Sequence, residues 1–389
     1  MNQAPARIYA PAKNLILYLT EDCNLRCTYC FVLKKPRRMS AETARKTVDF
    51  FFSRNVSGAE NQLDITFFGG EPFMEMDRME EVIEYARAQG PNVYKNCHFS
   101  ATTNGTVATP RTEAIISGSG MRLLVSMDGG HGATRYRPFV SGKPSYDKVA
   151  ENLPKLVSWA SDVVVRMTFH PDALDLVGNV RHVLSLGAPA IALCPVIEAA
   201  WDGHEAALES AYQALADWYI EEARQGRIVP LEVTHALLQA HHQARHGAGR
   251  PIRPCGVGHS LIAVEPDGHV MPCHQFINRP KDWLGTVHEP ALDATKRLPY
   301  LQLSSRTLLG CDTCLAEPVC GGGCRAVVVN AGLDLQKGTH PGYCLTTRAH
   351  AQAVYRIYDT LMAEQNAAFL SVMRGRRPLN AALTELVST

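Results

Sequence analysis

Between Leu15 and Val196 the chain alternates six times between apolar, strand-like runs and helix-like stretches, and this alternation narrows the fold more than any other feature. The runs are LILYLT (Leu15 to Thr20), LDITFF after Gln62, CHFSATT up to Asn104, RLLVS before Met127, VVVRMTF (Val163 to Phe169) and AIALCPV (Ala190 to Val196). SAETARKTVDFFFSR, which opens on a Ser cap at Ser40 with Glu42 in its first turn, MEEVIEYARAQG, SYDKVAENLPKLVSWAS and NVRHVLSLG show helical spacing. Strands separated by helices run parallel and are joined by right-handed crossovers, so the expected class is α/β. Pattern alone leaves open whether the strands form an open sheet or a barrel, whole or partial. This unit is expected over residues 13–200, after a short segment 1–12.

The residues with chemical character fall directly after these runs: Cys23, Cys27 and Cys30 after the first, Gly69-Gly70-Glu71-Pro72 after the second, TTNG after the third and SMDGG after the fourth. Parallel α/β folds gather their sites at the carboxyl ends of strands. Three thiols at C-x3-C-x2-C admit three readings. Disulfide pairing leaves one over. Structural zinc wants four closed ligands, and the next cysteine is Cys97. A cubane 4Fe–4S cluster held by three cysteines keeps one iron open to a substrate or cofactor.

With 389 residues the chain is long enough for two or three domains. Its net charge of +1 implies neither nucleic acid nor an anionic membrane as partner. MNQAPARIYAPAKNLILYLT lacks the apolar centre of a signal peptide, and no apolar run approaches membrane-spanning length. A cytoplasmic location is therefore expected, and in a reducing compartment cysteines read as metal ligands before disulfides. Residues 201–254 are Ala-, Gln- and Glu-rich and read as a helical connector. Seven of the 12 cysteines follow between 255 and 344, which marks 255–350 as a small metal-stapled region. Residues 351–389 read as a closing helix and a polar tail.

CNLRCTYC, with Tyr29 before its third cysteine, followed by GGEP after the next strand, resembles the radical S-adenosylmethionine superfamily. The resemblance implies a partial (β/α)6 barrel. It also implies a 4Fe–4S cluster on Cys23, Cys27 and Cys30, whose open iron takes the amino and carboxyl groups of S-adenosylmethionine. One electron then cleaves the cofactor to a 5′-deoxyadenosyl radical that abstracts a substrate hydrogen. Tyr29 would lie near the adenine, and Gly70 and Glu71 at the methionyl amino end. Ser126 and Arg137 match positions that hold the ribose hydroxyls and the cofactor carboxylate, and Val196 matches an adenine-side position loosely. For Ser126 a bond within its own turn, and for Arg137 a plain surface charge, are the structural alternatives.

The downstream spacing is Cys255, Cys273, then Cys311-x2-Cys314-x5-Cys320-x3-Cys324, then Cys344. A zinc ribbon is one reading of such a pattern, but seven cysteines are one short of two closed zinc sites. The spacing resembles the auxiliary-cluster extension called SPASM. That likeness implies one auxiliary 4Fe–4S cluster on Cys255, Cys273 and Cys324, short of a fourth cysteine, and a second on Cys311, Cys314, Cys320 and Cys344. PCHQF, LGTV and YRPFVSGKPSYDKV resemble thioether-forming peptide maturases of the ranthipeptide and sactipeptide type, which join a cysteine sulfur of a ribosomal peptide to a carbon of another residue. A precursor peptide or protein substrate is then implied, with a reductant such as flavodoxin or ferredoxin.

The nearest rival resemblance is to anaerobic sulfatase maturases, which make formylglycine. Those carry a further cysteine soon after the one matching Cys255 and an Asp after the one matching Cys273. Here CGVGHSL has no second cysteine and the position is His274, a candidate base. C–C crosslinking, epimerisation and decarboxylation are further chemistries of the same scaffold. A non-enzymatic iron–sulfur electron carrier is disfavoured by GGEP, Ser126 and Arg137, because a carrier needs no cofactor cradle. Only 22 residues precede Cys23, fewer than a leader-binding domain needs, so leader recognition is expected from a separate protein or another surface, if a leader is used.

Three further features read as structural. His235, His242 and His246 in HALLQAHHQARH are expected on a solvated helix and not as metal ligands. Cys97 and Cys194 are expected to be buried apolar cysteines, and Trp201 a packing residue. Asp267-Gly268 marks a hairpin.

Overall fold

The computed structural model describes residues 12–53, 63–89, 97–247, 255–289, 292–304 and 308–374, which divide into two compact units. Most of the segment 1–12 and the tail beyond 374 lie outside the described residues. The six strands occur in the expected order: β1 (Asn14–Thr20), β2 (Leu63–Gly69), β3 (Cys97–Thr103), β4 (Arg122–Ser126), β5 (Asp162–Phe169) and β6 (Ile191–Pro195). The longer described helices between them are α1 (Ala41–Ser53), α2 (Met76–Ala88), α3 (Pro110–Ser119), α4 (Tyr146–Trp159) and α5 (Leu176–Ser185), with a one-turn helix His131–Thr134 after β4.

One unit comprises the chain up to Val125 with 136–163 and 256–302. Its strands lie in the order β4-β3-β2-β1, all parallel, with Leu15 opposite Ile65, Ile65 opposite Phe99 and Ala101 opposite Leu123. Leu15 through Leu19 are fully buried on both faces of β1, as a helix-covered parallel sheet requires. β7 (Leu261–Val264) pairs in parallel with the free edge of β1, and β8 (His269–Met271) and β9 (Gly285–Thr286) continue antiparallel. The β7–β8 turn is the expected hairpin, with Gly268 at φ 91°. The segment 256–302, which the cysteine texture groups with the C-terminal region, is therefore part of this unit.

The other unit comprises 126–135, 164–255 and 303 onward. Beside the parallel pair β5–β6 it holds α6 (Glu205–Arg224), α7 (Glu232–Arg245), a one-turn helix Glu317–Cys320, and three helices toward the C-terminus. With α8 (Ala294–Leu301) in the first unit, these are α9 (Arg325–Asn330), α10 (Pro341–Ala363) and α11 (Ala367–Met373).

Helix α7 corrects the expectation of a solvated helix. Thr234, His235, Leu238 and His241 are buried. His235 Nε2 meets Tyr219 Oη at 2.9 Å, and His242 Nδ1 meets Tyr358 Oη at 2.7 Å. Histidine and threonine bury on α7 because tyrosine hydroxyls and His350 of α10 satisfy them, which a polar-looking sequence conceals. His246 alone is exposed, its Nδ1 at 2.8 Å from the carbonyl of His242. Trp201 packs edge-on to Phe169 and donates to the Val196 carbonyl, and Cys97 and Cys194 are buried. No described helix is long and apolar enough to cross a membrane.

Candidate functional site

The loop that follows β1 is held by its own polar groups. Asp22 N–H donates to Thr20 Oγ1 at 3.0 Å, and Cys23 N–H to Asp22 Oδ1 at 2.8 Å. Backbone bonds from Arg26 to Pro138, Thr28 to Tyr136 and Val140 to Asn24 fasten the loop to the segment around Arg137. Cys23 is buried, while Cys27 and Cys30 are half-exposed. Each of two sulfurs already has a donor: Leu25 N–H lies 3.3 Å from Cys23 Sγ, and Lys34 Nζ lies 3.0 Å from Cys30 Sγ. Burial pushes the Cys23 thiol up to about 11, so its thiolate needs a positive partner such as iron.

The two glycines of GGEP are there for close approach. A Cβ on Gly69 would stand 2.1 Å from the Thr20 carbonyl oxygen, and one on Gly70 only 1.8 Å from that of Asp22. The end of β2 thus lies flat against the start of the cysteine loop, with Gly70 N–H donating to Thr20 O and Glu71 N–H to Asp22 O. Glu71 is fully buried. One carboxylate oxygen accepts from Thr103 Oγ1 at 2.8 Å and Phe73 N–H at 3.2 Å, the other from Asn104 N–H at 2.7 Å. Burial raises its pKa to about 7, against the pull of those donors and of the Arg137 guanidinium. Arg137 is 5 % exposed, so it is no surface charge, and its Nη1 donates to Tyr29 Oη at 2.9 Å.

The structure therefore brings Cys23, Tyr29, Gly70, Glu71 and Arg137 into one neighbourhood of the first unit. It adds Asn104, whose amide donates to Asn24 Oδ1 at 2.8 Å and points at Cys23 Sγ from 3.7 Å. Thr103, Asn104 and Lys34 received no role from the sequence. The position of TTNG after a strand was the one signal available. His274 is buried, with its ring against Phe31 and Phe68 and its carbonyl accepting from Tyr18 Oη at 2.7 Å. Ser126 ends β4, and Val196 follows β6, bonded through its N–H to Phe169 O; both are grouped with the second unit.

In the second unit Cys311, Cys314, Cys320 and Cys344 line a single cavity together with Cys324 and Tyr343. Cys320 ends the one-turn helix, where Gly321 at φ 61° turns the chain back, and Cys344 sits in the first turn of α10 behind the His340 cap. Burial raises the Cys320 thiol to about 11. Among the described residues no group of three or more His, Cys, Asp or Glu converges as the ligands of one metal ion do. Thiols spread around one cavity suit a multi-iron cluster, which separates its ligands, better than closed zinc. Cys273 is buried in the first unit, and Cys255 and Cys324 belong to the second.

Residues 17–175 match the family model of the radical SAM superfamily. The serine-type anaerobic sulfatase-maturating enzyme of Klebsiella aerogenes is 24% identical over 350 residues, 85% of this chain and 83% of that protein. An uncharacterized protein of Methanocaldococcus jannaschii is 31% identical over 136 residues, 34% of this chain and 44% of that protein, so the match spans less than half of that relative. Among solved structures, native anSMEcpe with bound AdoMet superposes with a TM-score of 0.73 at 18% identity over 94% of this chain and 100% of that one. SuiB of Streptococcus suis bound to the precursor peptide SuiA gives 0.57 at 12% identity over 86% and 76%. These likenesses show the fold, the α/β partial barrel of such enzymes. The cysteine loop and the buried Glu71 agree with the family match, and residues 17–175 of this enzyme carry a radical SAM domain.

Proposed function

We propose that this enzyme modifies a ribosomally made peptide or a protein, and that it joins a cysteine sulfur of the substrate to a carbon of another residue. One observation carries the proposal: a cavity in the second unit lined by Cys311, Cys314, Cys320, Cys344 and Cys324, which radical initiation by itself does not require. The likeness to a sulfatase-maturating enzyme over most of both chains and to a peptide-bound SuiB supports a peptide or protein substrate.

In this reading Cys23, Cys27 and Cys30 hold a 4Fe–4S cluster that, with S-adenosylmethionine bound, supplies the hydrogen-abstracting radical. Lys34 and the Leu25 amide donate to the sulfurs. Glu71 takes the cofactor's ammonium group, for which its ionised form is needed. Arg137, held by Tyr29, takes the cofactor carboxylate, and Ser126 and Val196 serve its ribose and adenine. Cys255, Cys273 and Cys324 hold one auxiliary cluster, and their count of three leaves room for a substrate thiolate. Cys311, Cys314, Cys320 and Cys344 hold the other. His274, enclosed by Phe31 and Phe68, keeps the role of candidate base. A flavodoxin or ferredoxin is the fitting reductant.

Formylglycine formation is the second reading, favoured by the identity with the Klebsiella enzyme. The absence of a second cysteine in CGVGHSL and the presence of His274 weigh against it. Reconstituted protein with S-adenosylmethionine and dithionite should release 5′-deoxyadenosine, and Cys30→Ala should not; equal release from both refutes the radical role. A cysteine-containing peptide should then lose two hydrogens and resist thiol reductant and alkylation. Capture of the product by a hydrazide would establish an aldehyde and replace the thioether reading with formylglycine.

A further inference from the structure

Arg325 follows Cys324 and opens α9. Its side chain is 1% exposed and is the largest of the fully buried side chains. The guanidinium donates only to backbone carbonyls: Nη1 to Gly338 at 2.9 Å and Leu335 at 3.2 Å, Nη2 to Gly322, and Nε to Gly323 at 3.4 Å. Among the described residues no carboxylate lies within ion-pair distance of it, whereas the buried Arg122 pairs with Asp64. Arginine does not shed its proton in proteins, and an uncompensated buried charge costs several kcal/mol. Carbonyl dipoles compensate part of that. Two of its carbonyl acceptors, Gly322 and Gly323, lie in the short span from Cys320 to Cys324, which sets the guanidinium beside cysteines that would carry negative charge as cluster ligands.

The backbone around it is built for this grip. Gly321, Gly322 and Gly323 take successive positive φ values of 61°, 95° and 80°, a run that glycine alone adopts without strain, and two of their carbonyls turn onto the guanidinium. This loop is the span between Cys320 and Cys324, which the proposed assignment places in different auxiliary clusters.

We infer that Arg325 is the internal counter-charge of the auxiliary iron–sulfur sites, gripped by the loop that joins Cys320 of one set to Cys324 of the other, and that it raises their reduction potential. The inference rests on the cluster assignment proposed above. A fixed cation beside a cluster stabilises the reduced, more negative state, and net charge and hydrogen bonding are the terms that set such potentials. Arg325 is a positioning residue in this account.

The test uses full-length protein in a Cys23→Ala, Cys27→Ala, Cys30→Ala background, so that only auxiliary clusters contribute. Iron is counted first. About eight irons per chain supports the assignment, and none overturns the assignment itself, before Arg325 is altered. Arg325→Lys and Arg325→Gln are then titrated potentiometrically with EPR detection. Arg325→Lys should load iron and keep the midpoint potentials. Arg325→Gln should either shift them to more negative values or lose the iron of at least one cluster. Two outcomes overturn the counter-charge role: Arg325→Gln loading fully with unchanged midpoints, or Arg325→Lys failing as Arg325→Gln does, which would make the five-donor geometry and not the charge essential.

Discussion

Gly70 illustrates how one atom position decides a site. The contact of 1.8 Å that a Cβ would make is with backbone oxygen, not with a side chain that can swing away. Gly70→Ala is therefore expected to cost about 3 kcal/mol or more, at the upper end of overpacking penalties, and to release the cysteine loop from the end of β2. Iron content after reconstitution should fall with the melting temperature. Glu71→Gln is the contrasting variant. It keeps the acceptor for Phe73 and Thr103 and loses the Asn104 bond, so the loop and its iron should survive while binding of S-adenosylmethionine weakens. Equal iron in Gly70→Ala and wild type would mean that the glycine is not needed for packing.

Two contacts between elements carry predictions of their own. Asp64 of β2 and Arg122 of β4 form a buried ion pair across β3, each about one-tenth exposed. Burial raises the Asp64 pKa and Arg122 opposes it. Asp64→Asn leaves the guanidinium without its counter-charge and should cost about 3–5 kcal/mol, while Asp64→Leu with Arg122→Met should cost much less than the two single changes summed. Urea denaturation of the four proteins measures the cycle, and additive losses would deny the coupling.

His350 of α10 is enclosed by Tyr212, whose ring stacks on it with centroids 4.7 Å apart, and by Thr234, whose Oγ1 is 2.9 Å from its Nε2. Burial lowers its pKa from 6.5 to about 4. Between those values the unfolded chain binds a proton that the folded chain refuses. Stability contributed by the neutral ring is complete above pH 6.5 and falls as the pH drops toward 4, by on the order of 3 kcal/mol over the full window. His350→Gln should lie closest to wild type in melting temperature at pH 5.5 and furthest below it at pH 7.5. A constant difference across that range would remove His350 as the cause.

At the scale of the molecule, the sequence made the six strands legible because each is a short run rich in apolar and β-branched residues, and the cysteine loop legible because thiol spacing has few uses. Thr103, Asn104 and Lys34 were hidden because their residue types are common at strand ends and loops. The unit boundary was hidden for a different reason. LIAV (Leu261–Val264) is too short to announce itself, yet it completes the sheet: Asn14 through Leu17 pair with it, and Tyr18 reaches His274 behind it. Arg37, after the cysteine loop, bridges Glu21 to the buried Glu265 and to Asp267. A chain cut at residue 254, where the composition changes, would therefore expose the β1 edge with its unpaired backbone groups and the apolar Leu15 and Leu17, and would strip Arg37 of two carboxylates. Open apolar edges of this kind recruit other chains. Residues 1–254 expressed alone should aggregate or melt without a cooperative transition, although they contain all six barrel strands. Recovery as a soluble monomer with a sharp thermal transition would show that β7 is an ornament to the sheet and not part of what holds it together.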